Sequence, residues 1–186
     1  TLSLFFIDKV ANYREYNDSG PQPGRFVKWF EDAFNEMAAK PAFKDLIPFS
    51  ASEVHNGYFA QDRKGRLKDT SGETKADDDT YRLIMKDKEK LLSFETPLKF
   101  IFSHSALKEG WDNPNVFQIC TLRDIGSESE RRQTLGRGLR LAVDANGDRL
   151  YDPQINRLTV IASESFEQYA KNLQNELEKD IGGGFK

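Results

Sequence analysis

Short apolar runs of strand length alternate along the chain with segments whose apolar positions recur every three to four residues. The strand-length runs are LSLFFI (2–7), LKFIFSH (98–104), VFQICTL (116–122) and RLTVIA (157–162). Helical spacing is clearest in RFVKWFEDAFNEMAAK, which precedes Pro41 and carries Phe26, Phe30, Phe34 and Met37. Nearly continuous apolar strands separated by helices are typical of a parallel sheet covered on both faces. The pattern therefore predicts an α/β fold.

The middle of the chain is less regular. Residues 51–61 (ASEVHNGYFAQ) hold β-prone residues around an Asn-Gly pair, which predicts a turn. Residues 62–80 are almost entirely polar, and we interpret them as a solvated insertion. Residues 80–92 (TYRLIMKDKEKLL) have the spacing of another helix.

Two capping patterns predict helix starts in the second half of the chain. Ser127-x-x-Glu130 matches a capping box and begins a helix that carries RRQTLGRGLR (131–140). Ser165-x-x-Gln168 begins a last helix over about 164–180, which the glycines at 182–184 end. Ligands of parallel α/β folds bind at the carboxyl ends of the strands. The segments SHSALKEGWD (103–112) and 131–140 follow strands, so both are candidates for a site.

Composition limits the function more than it limits the fold. The length of 186 residues suits one domain, and the hydrophobic and charged fractions of 38% and 31% are those of a globular protein. The net charge of −3 excludes a protein that coats nucleic acid by bulk electrostatics. Any contact with nucleic acid must therefore be local.

The sequence has too few cysteines and histidines for a disulfide framework or a usual zinc site. The single cysteine, Cys120, lies in an apolar run and excludes a disulfide framework. One cysteine with His55 and His104 cannot form a usual zinc site. No apolar run is long enough for a membrane span and no signal-peptide pattern is present, so we expect a cytoplasmic protein. The start at Thr1, directly on an apolar run, suggests a piece of a longer polypeptide.

The stretch RRQTLGRGLR combines four arginines with two glycines. On a continuous helix Gln133, Arg137 and Arg140 fall at i, i+4 and i+7, which is one face. Gly136 and Gly138 remove side-chain bulk, so that another backbone or a phosphate could approach. Arginine offers planar donors that match phosphate oxygens. The alternative is a solvated basic helix that pairs with nearby acidic side chains, Glu128 and Glu130.

Two motifs in this order carry a family resemblance. QTLGRGLR resembles the sixth motif of superfamily-two helicases and translocases, and SHSALKEGWDNPNV resembles their fifth, with Gly110-Trp111-Asp112 as its Gly-x-Asp. More narrowly, four segments resemble consecutive parts of the restriction (Res) subunit of type III restriction-modification enzymes: TLSLFFIDKVANYREY, YRLIMKDKEKLLSFETPLKFIFSHSALKEGWDNPNVFQICTLR, RRQTLGRGLRL and RLTVIASESFEQYAKNLQ. The resemblance implies that residues 1–186 form the second RecA-like lobe of an ATP-driven DNA translocase or helicase.

The resemblance also implies roles for residues of the nucleotide site. Arg137 and Arg140 would contact the γ-phosphate side of ATP, one of them as an arginine finger. Gln133 would orient that network. On the other motif, Asp112 would bond the ribose or an arginine of the cleft, and Gly110 would let the backbone turn closely.

A second set of implied roles concerns DNA. Ser103 and Ser105, with the backbone around them, would touch the phosphates of the DNA strand along which the motor moves. His104 is either a DNA contact or a core histidine. Tyr13, with Asp8 and Asn12 at the position of the fourth motif, has either a ligand role or a capping and packing role.

Parts of an ATP site are missing from the sequence. There is no G-x-x-x-x-G-K-[ST] phosphate loop and no Asp-Glu pair after a strand for magnesium. We therefore expect ATP with Mg to be held mainly by a first RecA-like lobe of the same polypeptide, and this chain alone to be inactive. The resemblance adds DNA and a modification methyltransferase subunit as partners.

Other interpretations remain open from the residues alone. The chain could be a non-catalytic domain that binds DNA or protein, or a small hydrolase or nuclease with metal ligands in 62–80. Asp62 with Glu73-x-Lys75 imitates a nuclease pattern, and Asp77, Asp78 and Asp79 imitate a magnesium site, but consecutive acids favour a helix start instead. Trp111 fits a core position better than a stacking platform.

Overall fold

Five strands pair side by side in one parallel sheet. The computed structural model describes residues 2–44, 46, 48–69, 96–104, 113–123, 127–144, 146–162, 168 and 170–175. Its strands are β1 (Leu2–Ile7), β2 (Arg14–Asn17), β3 (Gly20–Pro23), β4 (His55–Tyr58), β5 (Phe100–Ser103), β6 (Val116–Leu122) and β7 (Thr159–Ile161). The sheet order is β4-β5-β1-β6-β7, and every adjacent pair is parallel. The α/β prediction is confirmed, and the fold is RecA-like.

β1 lies at the centre, with β5 on one side and β6 on the other. The strands that follow β1 in sequence, β4 and β5, lie on one side of it, and the chain then crosses to β6 on the opposite side. The order in which strands are added therefore reverses at β1. Parallel α/β folds bind their ligands in the crevice at such a switch point. Asp8, His104 and Arg123, which directly follow β1, β5 and β6, lie at the carboxyl edge of the sheet.

Two helices have defined bounds. α1 (Arg25–Ala38) ends before Pro41 as predicted, and α2 (Glu128–Gly136) begins at the predicted capping box. Gly24 is the N-cap of α1, and a side chain there would overlap the backbone of Ala11 and Asn12. The Gly24 N–H donates to the Tyr13 carbonyl at 2.8 Å, which fixes the entry to the helix. Residues 170–175 are also helical, within the predicted last helix.

The core has two main parts because β1 is apolar on both of its faces. One part contains Leu2, Leu4 and Phe6, with Ile101 of β5 and Ile119 of β6. The other contains Ile7 and Phe102 and is covered by α1 through its buried and half-buried side chains, Phe26, Val27 and Phe30. Leu135 of α2 packs on half-buried residues that include Leu158, Val160 and Leu173. Leu158 also packs on the first part, so α2 is joined to that side of the core.

One prediction about the middle of the chain was wrong in detail. Asn56 and Gly57 lie inside β4 and form no turn. Gly57 is required there because a side chain at this position would overlap the rings of Tyr13 and Phe59. The start of the polar insertion is also ordered: Leu67 is half-buried, and Asp69 accepts a hydrogen bond from the Val10 N–H at 2.7 Å. The rest of 62–80, the helix predicted at 80–92 and the cap at Ser165 lie outside the described residues.

Candidate functional site

The carboxyl edge of the sheet brings together polar residues that are far apart in sequence. Asp8 follows β1, His104 follows β5 and Arg123 follows β6. Asp8 accepts a short hydrogen bond from the side-chain amide of Asn12, which closes the loop after β1. The Asp8 carboxylate is therefore engaged in the fold of this loop.

The start of α2 is fixed to the end of β6. The Ser127 hydroxyl accepts a hydrogen bond from the Glu130 N–H at 3.1 Å, which confirms the predicted cap. The Glu130 carboxylate pairs with the Arg123 guanidinium. This ion pair joins the residue that follows β6 to the first turn of α2. The Glu130 carboxylate is thus paired with Arg123. Together, the ion pair and the Ser127 cap fix the start of α2 relative to the end of β6.

The end of α2 differs from the sequence prediction. The helix ends at Gly136, and Arg137 is its C-cap. The Gly138 N–H donates to the Leu135 carbonyl at 3.0 Å, a tighter bond than the α-helical one. Arg140 lies beyond the helix, so the prediction that Gln133, Arg137 and Arg140 share one helical face was wrong for Arg140. Just beyond the C-cap, a side chain on Gly138 would overlap Leu158.

The two arginines have different environments. Arg137 is buried, with 8% of its surface exposed, whereas Arg140 is exposed. Gln133 is also exposed, on the last full turn of α2. A buried guanidinium is held by its own domain, while an exposed one lies on the surface that a ligand or a second domain can contact. Arg140 and Gln133 are therefore the members of the motif that this surface offers.

The two glycines of the motif also differ. A side-chain carbon on Gly136 would meet no atom within 4 Å, so this position faces open space. A carbon on Gly138 would overlap Leu158. The explanation that both glycines admit a phosphate was thus wrong for Gly138, whose small size serves packing. The space beside Gly136 is open, as the approach of a phosphate requires.

Two of the DNA-contact candidates, Ser103 at the end of β5 and His104 after it, differ in how far the fold uses their side chains. Ser103 is buried, and its hydroxyl donates to the Tyr58 carbonyl at 3.2 Å, which ties β5 to β4. His104 is half-buried, and its Nδ1 has no hydrogen-bond partner among the residues that the structure describes. His104 therefore retains an unused polar atom at the carboxyl edge.

A buried polar chain that the sequence motifs did not indicate crosses the α1 side of the sheet. The Tyr13 hydroxyl and His55 Nδ1 are 3.1 Å apart, and His55 Nε2 and Glu31 Oε1 are also 3.1 Å apart. Burial raises the pKa of Tyr13 to about 12. No local spacing relates these residues, so only the fold brings them together. Tyr13 is 2% exposed, which favours the packing role considered for it over a ligand role.

Several predicted positions lie outside the described residues. They are Ser105, Gly110, Trp111 and Asp112 of the fifth motif, and Glu73, Lys75, Asp77, Asp78 and Asp79 of the insertion. Within the ranges that are described, no three His, Cys, Asp or Glu side chains are arranged to hold a metal ion. No helix in those ranges is long and apolar enough to cross a membrane. Asp62 accepts hydrogen bonds from the N–H groups of Lys64 and Arg66, so its carboxylate stabilises a turn.

Known proteins resemble this chain over most of its length. It is 41% identical over 158 residues to the Res subunit of the type III restriction-modification enzyme EcoP15I of Escherichia coli, in an alignment that covers 81% of this chain and 16% of the relative. The StyLTI Res subunit of Salmonella typhimurium is 36% identical across 97% of this chain and 20% of the relative. The EcoPI Res subunit of Escherichia phage P1 is 39% identical, with 81% and 16% covered. No protein-family model and no solved structure matches the chain. The chain thus spans a fifth or less of the length of these relatives.

Proposed function

The chain belongs to the family of Res subunits of type III restriction-modification enzymes, and from this membership we propose that it is the second RecA-like lobe of an ATP-dependent DNA translocase. In this proposal it works within a longer Res polypeptide whose first RecA-like lobe holds most of the ATP and Mg. DNA and a modification methyltransferase subunit are its partners. The lobe is inactive alone and completes a nucleotide site when the two lobes close.

The observation that carries the proposal is the different exposure of Arg137 and Arg140. Arg140 is exposed just beyond the end of α2, so its guanidinium can reach a phosphate that another lobe holds. Arg137 is buried at the C-cap of α2. We assign Arg140 as the arginine finger and Arg137 as a positioning residue that holds the segment beneath it. This assignment refines the sequence expectation, in which either arginine could take the role.

The neighbouring groups fit a phosphate ligand. The exposed Gln133 amide can donate to phosphate oxygens or orient the Arg140 guanidinium, and the open space beside Gly136 lets the first lobe approach closely. Gly110 and Asp112 complete the proposed site from the fifth motif. Bound ATP supplies the phosphoryl group whose transfer to water drives movement. The residues of this lobe bind and orient that group and neutralise the charge that develops on it.

The proposed DNA contact is the segment that follows β5. His104 carries the unused Nδ1 atom, and Ser105 continues the segment. Ser103 holds the end of β5 through its bond to Tyr58, so that its backbone and the residues after it meet the DNA phosphates in a defined position. Because His104 and the start of α2 both follow carboxyl ends of strands in the same parallel sheet, closure on ATP can be coupled to movement on DNA.

DNA-stimulated ATP hydrolysis by the full-length Res polypeptide tests the proposal. We expect Arg140→Ala to lower kcat by about 10³-fold or more with unchanged folding, since arginine fingers contribute that much to phosphoryl transfer. Arg149→Ala, an exposed arginine outside the motif, is the matched control and should keep full activity. Arg137→Ala should lower both activity and thermal stability, because its side chain is buried.

One observation favours a second candidate, a non-catalytic domain that binds DNA or protein. The buried Arg137 and the tight contact of Gly138 with Leu158 show that part of the motif serves packing. If Arg140→Ala hydrolyses ATP as fast as the wild type, the motif has no role in phosphoryl transfer. The binding-domain function would then replace the motor.

A further inference from the structure

An open groove of about 550 Å³ lies beside β4, away from the arginine motif. Its walls are the hairpin of β2 and β3 and the turn at 61–67, and its floor includes Gly57 and Tyr58 of β4. None of the motifs identified in the sequence accounts for this groove. His104, the described residue of the segment that the proposed function assigns to DNA, does not line it.

The turn at 61–67 is held rigidly in place. Asp62 Oδ1 accepts hydrogen bonds from the N–H groups of Lys64 at 2.7 Å and Arg66 at 2.9 Å. Gly65 has a φ of +75°, the left-handed conformation that favours glycine. The Leu67 N–H donates to the Tyr16 hydroxyl at 2.8 Å, which fastens the turn to the hairpin. Lys64 and Arg66 therefore extend from a fixed backbone.

The groove is locally basic although the chain is acidic overall. Arg14, Lys64 and Arg66 line it, and no carboxylate is among the described residues that do so. None of the three cations forms an ion pair with another residue in the described ranges. The Nε atom of Arg14 is buried without a hydrogen-bond partner among those residues. The Asp62 carboxylate at the base of the turn partly offsets the charge of Lys64 and Arg66. The positive charge that remains, in a chain with a net charge of −3, favours an anionic ligand.

Aromatic and amide side chains accompany the cations. The Arg66 guanidinium lies 5.6 Å from the centre of the Tyr16 ring, and Arg14 lies 5.8 Å from that of Tyr13. Asn17, Asn56 and Gln61 add hydrogen-bonding groups to the walls. Of these two rings, Tyr16 is exposed and Tyr13 is buried, so Tyr16 offers the surface on which a base or a sugar can pack. Cations beside an exposed aromatic ring are typical of a groove for a nucleic acid strand.

We propose that this groove binds one strand of DNA, with its phosphates on Arg14, Lys64 and Arg66. The proposal rests on the proposed function, because it assumes a lobe that meets DNA, and it adds a second contact surface beyond the segment after β5. A strand fits better than a single small anion because the cations come from two separate segments, β2 and the turn, around an open groove.

Binding of a labelled single-stranded oligonucleotide and of a duplex by the full-length Res polypeptide tests the groove. The test variant is Lys64→Glu with Arg66→Glu, and the matched control is Lys28→Glu with Lys44→Glu. All four residues are exposed, only the first two line the groove, and both double variants change the net charge equally. We expect the groove variant to weaken binding of the single strand about tenfold or more, and the control to retain wild-type affinity.

Salt dependence provides a second readout. For Lys64→Gln with Arg66→Gln, the slope of log K against log salt should fall by about 1.4, since each phosphate contact to a single strand contributes about 0.7. Wild-type affinity and slope in both groove variants would overturn the groove proposal. If Arg140→Ala still abolished DNA-stimulated ATP hydrolysis, the motor function would stand.

Two further outcomes have distinct meanings. A wild-type polypeptide that binds no DNA would overturn the proposed function and the groove proposal together. Loss of pyrophosphate binding in the groove variants, with unchanged affinity for the oligonucleotide, would overturn the strand proposal and identify a small-anion site. Equal melting temperatures of the variants and the wild type exclude misfolding as the cause of any loss.

Discussion

Leu158 occupies the space that a side chain on Gly138 would need. A Cβ atom on Gly138 would overlap Leu158 Cδ1 and would lie 3.0 Å from its Cδ2 and 3.1 Å from its Cγ. Leu158 cannot move without cost because it packs on both the central core and the Leu135 cluster. Gly138→Ala should therefore destabilise the chain by about 1–3 kcal/mol, as overpacking does. Urea unfolding measures this, and an unchanged midpoint would show that Leu158 adjusts freely.

Gly136 offers the opposite case in the same motif. An added Cβ meets nothing within 4 Å, and alanine is the better helix former by about 1 kcal/mol in a helix interior. We expect Gly136→Ala to leave stability unchanged or to raise it by up to about 1 kcal/mol. In the full-length polypeptide the same substitution should slow ATP hydrolysis if the first lobe or a phosphate approaches this face. Full activity would remove Gly136 from the proposed nucleotide site.

The main strands were predictable because buried parallel strands are apolar on both faces. β1 and β6 match the apolar runs at 2–7 and 116–122, and the Ser127 cap was also correct. These features depend on short stretches of sequence, where side-chain pattern and backbone hydrogen bonding agree.

The features that were missed depend on contacts between distant segments. The Asn56-Gly57 pair has the sequence of a turn, but the Tyr13 ring against Gly57 requires a strand there. Helical spacing placed Arg140 beside Gln133, but Gly138 meets Leu158 and the helix ends first. Periodicity within one segment contains no information about a partner twenty residues away.

The buried Tyr13 phenol should make the fold sensitive to alkaline pH. Burial raises its pKa from 10.0 to about 12, so the folded state favours the protonated form. The contribution of protonated Tyr13 to the free energy of unfolding is fully present below pH 10 and is lost as the pH rises through 12. Tyr13→Phe removes this dependence. At pH 7 it costs about 1 kcal/mol, because the hydrogen bond with His55 is lost.

Unfolding free energies between pH 9 and pH 12 test this prediction, with Tyr151→Phe as the control. Tyr151 is 75% exposed, so its replacement should leave the pH profile of the wild type intact. A Tyr13→Phe variant with the wild-type slope between pH 10 and pH 12 would contradict the assignment and point to another group.

Cys120 should be nearly inert in the folded chain, although it is the only thiol in the sequence. Burial in β6 raises its pKa from 9.0 to about 11, and only the thiolate reacts with alkylating reagents. At pH 8 this shift alone lowers the thiolate fraction about 100-fold relative to the unfolded chain. Alkylation by iodoacetamide, followed by mass spectrometry, should therefore be at least that much slower in buffer than in urea. Equal alkylation rates with and without urea would show that β6 opens to solvent on the timescale of the reaction.

The raised pKa of Cys120 also makes the free energy of unfolding depend on pH. The protonated thiol stabilises the fold fully below pH 9, and this stability is lost as the pH rises through 11. Cys120→Ala should remove that pH dependence.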